Sequence, residues 1–237
     1  MAENWQARQA LLMGEEALDL LREKTVAVIG LGGVGGGCAE GLCRGGVGGI
    51  ILMDHDTVDE TNLNRQLFAL RSTIGIPKTE AAAARLQEIN PHCRLTLLPE
   101  FYSPETADKL FACQPDYVVD CIDTVSSKLH LAESCLARGI PLLMSLGTGN
   151  RLDPTCFRIG RLSQTAQVGG DGLARAIRRE ARKRGLPDLE VLYSLEIPRK
   201  AVLADGHRYA PGSVSFCPPV AGYIEAGWVI RKLTGQV

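Results

Sequence analysis

The run TVAVIGLGGVG, Thr25 to Gly35, carries two signals back to back. Thr25–Ile29 is apolar and rich in β-branched residues over its whole length, which suits a strand buried on both faces. Four glycines follow, Gly30, Gly32, Gly33 and Gly35, and a helical pattern begins at about Val34 and runs to Cys43. Glycines at a strand-to-helix turn let backbone N–H groups approach phosphate oxygens, and the helix N-terminus adds a favourable partial charge. Ile50–Met53 reads as the next strand and ends at Asp54, where a carboxylate meets ribose hydroxyls. The loop alone says only that a nucleotide with phosphates and a ribose binds here. NAD fits that description as well as ATP.

Working outward, strands and helices alternate. Residues 15–23 form a short amphipathic pattern before the first strand. A helix opened by Pro77 carries the good formers KTEAAAARLQEI. Arg94–Leu98 reads as a third strand, Pro104–Cys113 as a helix, Tyr117–Ile122 as a fourth strand, Val125–Arg138 as a helix and Pro141–Ser145 as a fifth strand. Such alternation predicts an α/β fold: a Rossmann-like, doubly wound, mostly parallel sheet. After Asn150 the rhythm changes. Short strands are expected near Cys156–Ile159, Glu190–Tyr193 and Val214–Phe216, a basic helix over Asp171–Arg184, and a last helix from about Val220 to Leu233, with loops marked by Pro187, Pro198, Gly206, Pro211 and Gly212. Residues 1–150 therefore read as a nucleotide-binding domain and 151–237 as a loop-rich extension with a C-terminal helix, covering the active edge of the same sheet.

Composition bounds the function. Among 237 residues, 45% are hydrophobic and 22% charged, which excludes disordered, collagen-like and coiled-coil chains. The net charge is −1, so any nucleic-acid partner must be held by a local patch. Met1–Gln9 is polar and reads as no signal peptide, and the apolar C-terminal stretch is broken by Glu225, so no integral membrane span is expected. The eight cysteines include no C-x-x-C, and buried free thiols in a reducing cytoplasm are the reading they support.

The choice between nucleotides is made further along the chain. Asn62, Arg65 and Gln66 follow Asp54 closely, and Lys78 comes thirteen residues after Arg65. A dinucleotide site has little use for two cations and two amides here. A triphosphate does, because Arg65 and Lys78 neutralise its oxygens and Asn62 can donate to it. Cys121-Ile-Asp123 then places a carboxylate just past the fourth strand, at the edge that lines the ligand crevice of such sheets. A carboxylate beside a triphosphate suits a magnesium ligand. Taken singly, Lys78 reads equally as a surface lysine and Asp123 as a helix cap.

GLGGVG (30–35), DHD (54–56), NLNRQ (62–66), GIPK (75–78) and CID (121–123) together resemble the adenylating superfamily of ubiquitin-activating-type enzymes and of molybdopterin-synthase and thiazole adenylyltransferases. Within it, SLGTGNRLDPT (145–155), VLYSLEIP (191–198) and GSVSFCPPVAG (212–222) resemble the tRNA threonylcarbamoyladenosine dehydratase branch. The resemblance implies ATP and Mg2+ as cofactors, a cytoplasmic enzyme, and adenylation of a carboxylate. That carboxylate belongs to the threonyl group of N6-threonylcarbamoyladenosine in tRNA, and the modification's own carbamoyl group then closes a ring, with net loss of water. It assigns Gly30, Gly32, Gly33 and Gly35 to the backbone cradle, Asp54 to the ribose, Asn62 and Gln66 to orienting phosphates, Arg65 and Lys78 to catalytic charge neutralisation and Asp123 to magnesium. ARQALLMG (7–14) resembles the stretch that supplies an arginine to the neighbouring subunit's ATP, which points to Arg8 and to a homodimer.

The chain also departs from the superfamily. The zinc-binding cysteine pairs of its sulfur-carrier branches are absent, and residues 157–216 hold no cysteine where a covalent one usually lies. A sulfur-transfer or carrier-protein partner stays open, and the competing function is adenylation of the C-terminal glycine of a ubiquitin-like sulfur carrier. A nucleotide-binding regulatory or NAD-dependent protein is the third reading, opposed by Arg65, Lys78 and Asp123. For tRNA, the helix 171–184 sets Arg175, Arg178, Arg179 and Arg182 at neighbour spacing, with Lys183 and Arg184 beside them. Arg199, Lys200 and Arg208 would extend the patch. A solvated basic helix is the alternative. Lys128 reads either as a residue reaching the substrate or as a lysine on a helix surface.

Overall fold

The computed structural model describes residues 4–199 and 211–237. Lys200, Gly206 and Arg208 lie outside them. Among the described residues seven strands form one sheet: β1 (Thr25–Ile29), β2 (Gly49–Met53), β3 (Arg94–Leu98), β4 (Tyr117–Asp120), β5 (Leu142–Ser145), β6 (Phe157–Arg161) and β7 (Glu190–Ser194). Their order is β3-β2-β1-β4-β5-β7-β6. Every neighbouring pair is parallel except β6 and β7. Helices α1 (Ala7–Met13), α2 (Glu15–Glu23), α3 (Gly33–Arg44), α4 (Lys78–Ile89), α5 (Ala107–Ala112), α6 (Val125–Arg138), α7 (Gly172–Lys183) and α8 (Cys217–Leu233) cover it. This is the doubly wound α/β architecture expected from the alternation of elements.

The central strands are apolar on both faces because helices cover both. Val26 and Val28 of β1 point into one core with Leu18 of α2, Cys38 and Leu42 of α3, Leu86 of α4 and Val229 of α8. Ala27 and Ile29 point into the other, with Leu110 of α5 and Leu131 and Cys135 of α6. Pairing aligns Val28 with Leu52 on one side and with Val119 on the other. Strand order reverses between β1 and β4, and a crevice opens past the carboxyl ends of strands at such a reversal. The glycine turn follows β1 and the Cys121–Asp123 segment follows β4, so sequence-distant motifs meet there.

Several elements differ from expectation. Ala7–Met13 is helical although it buries none of its residues. β4 stops at Asp120, whose carboxylate accepts the Ile122 N–H at 3.0 Å and turns the chain. The helix expected over 104–113 is confined to Ala107–Ala112, because Ser103 and Thr106 close a local turn first. Val214–Phe216 is not a strand. It leads directly into α8, which starts at Cys217 and not at Val220 because Pro218 and Pro219 occupy the first turn, where a missing N–H costs nothing. All eight cysteines are free. No helix among the described residues is long and apolar enough to cross a membrane.

Candidate active site

Gly30 has φ 90°, a left-handed conformation that favours glycine, and turns the chain out of β1. Gly35 sits so close under it that a Cβ there would meet the Gly30 carbonyl oxygen at 1.8 Å. These two positions let α3 begin immediately beside the strand. The first N–H groups of a helix lack intrahelical partners, and here Gly32, Gly33 and Val34 line an open cavity. At Gly32 a Cβ would meet nothing within 4 Å, because that side is open to the cavity.

Two cavities meet at this turn. The smaller, about 330 Å³, runs from the glycine turn past Asp54, Asn62, Gln66 and Lys78 to Phe101 and Tyr102. The larger, about 620 Å³, extends along the loop after β5, Ser145 to Arg151, to the start of α7 and the entry to α8. Gly32, Gly33, Arg65, Cys121, Ile122 and Asp123 line both, so they form a shared rim. The structure therefore brings together every residue assigned to the nucleotide except two. Arg8 is exposed on α1 and lines neither cavity, and Gly35 is buried under the Gly30 carbonyl, where it serves packing and not the cradle.

Each side chain has a distinct setting. Asp54 is buried, and its two oxygens accept the N–H groups of Leu31 at 2.6 Å and Asp56 at 2.8 Å. It ties the end of β2 to the glycine turn. Lys78 is buried in the first turn of α4, with Nζ 2.6 Å from Asp56 and 4.0 Å from Asp54. A surface lysine is thereby ruled out. Arg65 donates through Nη1 to the Thr61 carbonyl at 2.8 Å and to Asn64 Oδ1 at 2.9 Å, which fixes its guanidinium on the rim. Asn62 spends its Oδ1 on the Asp59 N–H at 3.1 Å. Gln66 is buried in the wall of the smaller cavity. Asp123 is exposed on the rim, and its carboxylate accepts only the Thr124 hydroxyl, at 3.3 Å, among the described residues. Thr124, not Asp123, is the N-cap of α6, so the cap reading fails.

Lys128 reaches neither the substrate side nor a helix surface. It is fully buried, with Nζ 3.0 Å from Asp120 Oδ1 and 2.7 Å from the Ser145 carbonyl. Two turns of a helix face pattern do not reveal whether a lysine points into a sheet, so the sequence left this pair invisible. Beside it, Glu225 of α8 is fully buried, and burial pushes its carboxyl up to about 8. Burial also pushes the Cys121 thiol well up, with Glu225 and Cys38 adding to it. Cys121 is the only cysteine among the described residues that lines either cavity, and a raised thiol is a poor nucleophile.

The sequence reading also missed Asp56, the ion-pair partner of Lys78. DHD (54–56) is legible as a motif, but nothing in it tells which carboxylate faces the lysine. Likewise missed was Arg151, buried at the wall of the larger cavity. Its guanidinium donates to the Gly147 carbonyl at 2.9 Å, to the Glu196 carbonyl and to Asp171 at 3.0 Å. It clamps the loop after β5 to the start of α7. Loop-to-loop pairs of this kind leave no periodic trace.

A family model described as ThiF family matches residues 6–236. The chain belongs to the ThiF family. A tRNA threonylcarbamoyladenosine dehydratase of Bacillus subtilis is 43% identical over 98% of this chain and 95% of its own length. Crystal structures of the Escherichia coli tRNA N6-threonylcarbamoyladenosine dehydratase in complex with AMP and with ATP superpose with TM-scores of 0.88 and 0.85. Both are 32% identical, over 99% of this chain and 97% of theirs. A molybdopterin-synthase adenylyltransferase of Escherichia coli is 36% identical but over 57% of this chain and 55% of its own. The likeness to the dehydratases thus spans nearly the whole chain, whereas the likeness to the molybdopterin-synthase adenylyltransferase is partial.

Proposed function

We propose that this chain is an ATP-dependent tRNA threonylcarbamoyladenosine dehydratase. The observation that carries the reading is the pair of cavities sharing one rim, in a chain matched end to end by dehydratases. One cavity offers the glycine turn, Asp54, Lys78 and a wall of Phe101 and Tyr102 to a nucleotide. The other receives the modified nucleoside, so that its carboxylate arrives at Arg65 and Asp123. In this reading residues 1–150 bind ATP and 151–237 face the tRNA.

The first step joins a carboxylate oxygen of the threonyl group to the α-phosphorus of ATP and breaks the bond to pyrophosphate. Its barrier is electrostatic, because an anion attacks an anion. Arg65 and Lys78, held in place before substrate arrives, neutralise that charge as it gathers, and the α3 N-terminus adds N–H donors. The second step joins the carbamoyl group to the activated acyl carbon and breaks its bond to AMP, and the carbamoyl proton is released. A nucleophile within the same molecule has a very high effective concentration, so no covalent enzyme nucleophile is required. The raised Cys121 thiol agrees with that.

Asp123 fits a magnesium ligand. Mg2+ takes one or two carboxylates together with phosphate oxygens, and Asp123 offers an exposed carboxylate with no cap to make. When bound, the ion supplies positive charge to the phosphates. A homodimer accounts for Arg8. The residue lies on α1 beside Leu11 and Leu12, which are 89% and 87% exposed, so a second copy covering that helix would receive the arginine. On this reading the enzyme works in the cytoplasm, where tRNA is available to it.

The test is mass spectrometry of nucleosides from tRNA carrying threonylcarbamoyladenosine, incubated with the protein, ATP and magnesium. ATP-dependent loss of one water from that nucleoside is expected. An ATP-binding preparation that leaves the mass unchanged moves the assignment to a carrier-protein substrate ending in glycine.

A further inference from the structure

Six cations and two carboxylates lie within residues 171–184, in a chain of net charge −1. The structure sorts them. Ala174, Ile177 and Ala181 of α7 are buried, in one cluster with Leu129 and Ala132 of α6, which fixes the rotation of the helix. Arg178 turns inward to the Thr165 hydroxyl. Arg179 and Lys183 share Glu180, at 2.8 and 3.1 Å, and Arg184 pairs with Glu133 of α6 at 3.1 Å. Arg175 and Arg182 remain. Both are exposed, and among the described residues neither guanidinium has an ion-pair or hydrogen-bond partner.

These two lie seven residues apart, two turns of one face and about 10 Å along the axis. The helix is anchored at the cavity end. Asp171 caps it through the Ala174 N–H at 3.0 Å and is gripped by Arg151, and Asp171, Gly172 and Leu173 line the larger cavity. The basic face therefore leads away from the mouth of the cavity on a rigid element. A nucleoside that enters a pocket for chemistry must leave its stack while the chain on either side stays outside.

We propose that the exposed face of α7 bearing Arg175 and Arg182 holds backbone phosphates of the substrate RNA next to the nucleoside in the larger cavity. The inference rests on the functional reading above and adds the landing surface to it. Guanidinium groups suit phosphate through paired donors, and the half-neutralised Arg179 and Lys183 add to the local field. Sequence is not read by such contacts; they set position.

The test compares the wild type, Arg175→Gln/Arg182→Gln, and Arg94→Gln/Arg231→Gln as a control that removes two charges elsewhere. Binding of modified tRNA and steady-state dehydration are measured across salt concentrations, with the thermal shift given by ATP as the check on the nucleotide cavity. In the α7 variant, tRNA binding is expected to weaken at least tenfold near 0.1 M salt, and the slope of log affinity against log salt to fall by about 1.4. The loss should appear in KM while kcat and the ATP shift hold, the pattern of lost uniform binding. A KM and a salt slope equal to the control's overturn the α7 surface. A wild type that does not dehydrate modified tRNA overturns the functional reading itself, and the surface with it.

Discussion

Lys128 Nζ lies 3.0 Å from Asp120 Oδ1, and neither side chain has any exposed surface. The pair joins the end of β4 to α6, and Lys128 also reaches the Ser145 carbonyl at the end of β5. It thus braces from behind the two strand ends that carry the cavity rim and the loop after β5. Burial raises the Asp120 carboxyl, and the neighbouring ammonium pulls it back. Removing Lys128 leaves a buried carboxylate uncompensated. Lys128→Met is expected to destabilise by about 3–5 kcal/mol, measured by urea unfolding, and Lys128→Met/Asp120→Asn to recover a substantial part. Equal losses in the single and double variants would show that packing, not charge, is what Lys128 supplies.

Glu225 gives a pH dependence of opposite sign to that of an ordinary paired carboxylate. Its folded value, about 8, stands above the unfolded value of about 4.3. Between those two pH values the folded chain holds a proton that the unfolded chain has released, so this group's stabilising contribution falls as pH rises. The slope approaches about 1.4 kcal/mol per pH unit inside the window and vanishes above it. Glu225 faces Lys128 and Asp120, with the Cys121 thiol 3.5 Å away and Cys38 nearby. Glu225→Gln should therefore gain on the wild type as pH goes from 5 to 8 in paired unfolding curves. Parallel curves would mean that the carboxyl titrates normally.

Much of this was readable in the chain, for identifiable reasons. The turn at Gly30–Gly35, the helix Val125–Arg138 and the strand Arg94–Leu98 are set by local patterns, and the structure places them where the patterns do. Arg65, Lys78, Asp54 and Asp123 could be grouped because strand ends in this topology share one edge. What the sequence withheld depends on the third dimension. Lys128 on α6 and Glu225 on α8 look like surface charges until the rotation of each helix is known. Asp56 and Arg151 act through partners in other loops. The sequence of α7 reads as basic, but which arginines are unpaired among the described residues follows only from Glu180, Glu133 and Thr165 being where they are.

The glycine turn separates packing from ligand contact. A Cβ at Gly35 would lie 1.8 Å from the Gly30 carbonyl oxygen, backbone that cannot step aside. Gly35→Ala should fail to fold or melt far below the wild type. At Gly32 the same Cβ meets no protein atom within 4 Å and projects into cavity space. Gly32→Ala should keep its melting temperature and lose at least tenfold in ATP affinity by calorimetry. Unchanged ATP binding in a folded Gly32→Ala would place the phosphates elsewhere.

Asp123 is the sharpest test of the chemistry because, among the described residues, nothing structural depends on it. Its carboxylate is exposed and, among the described residues, caps no helix and accepts one hydroxyl, from Thr124 at 3.3 Å. Asp123→Ala should keep the wild-type melting temperature. Loss of one preorganised charge-stabilising group costs about 10²–10³ in rate, and a fall of that size is expected in ATP-dependent dehydration of modified tRNA. Magnesium should also cease to strengthen ATP binding in the variant, a readout independent of turnover. Asp123→Asn retains the shape and one oxygen, so it should fold equally well and fall between the two. Near-normal turnover of Asp123→Ala, together with an undiminished magnesium effect, would move the ion to another carboxylate, and Asp56, 2.6 Å from Lys78 in the adjoining cavity, would be the next to replace.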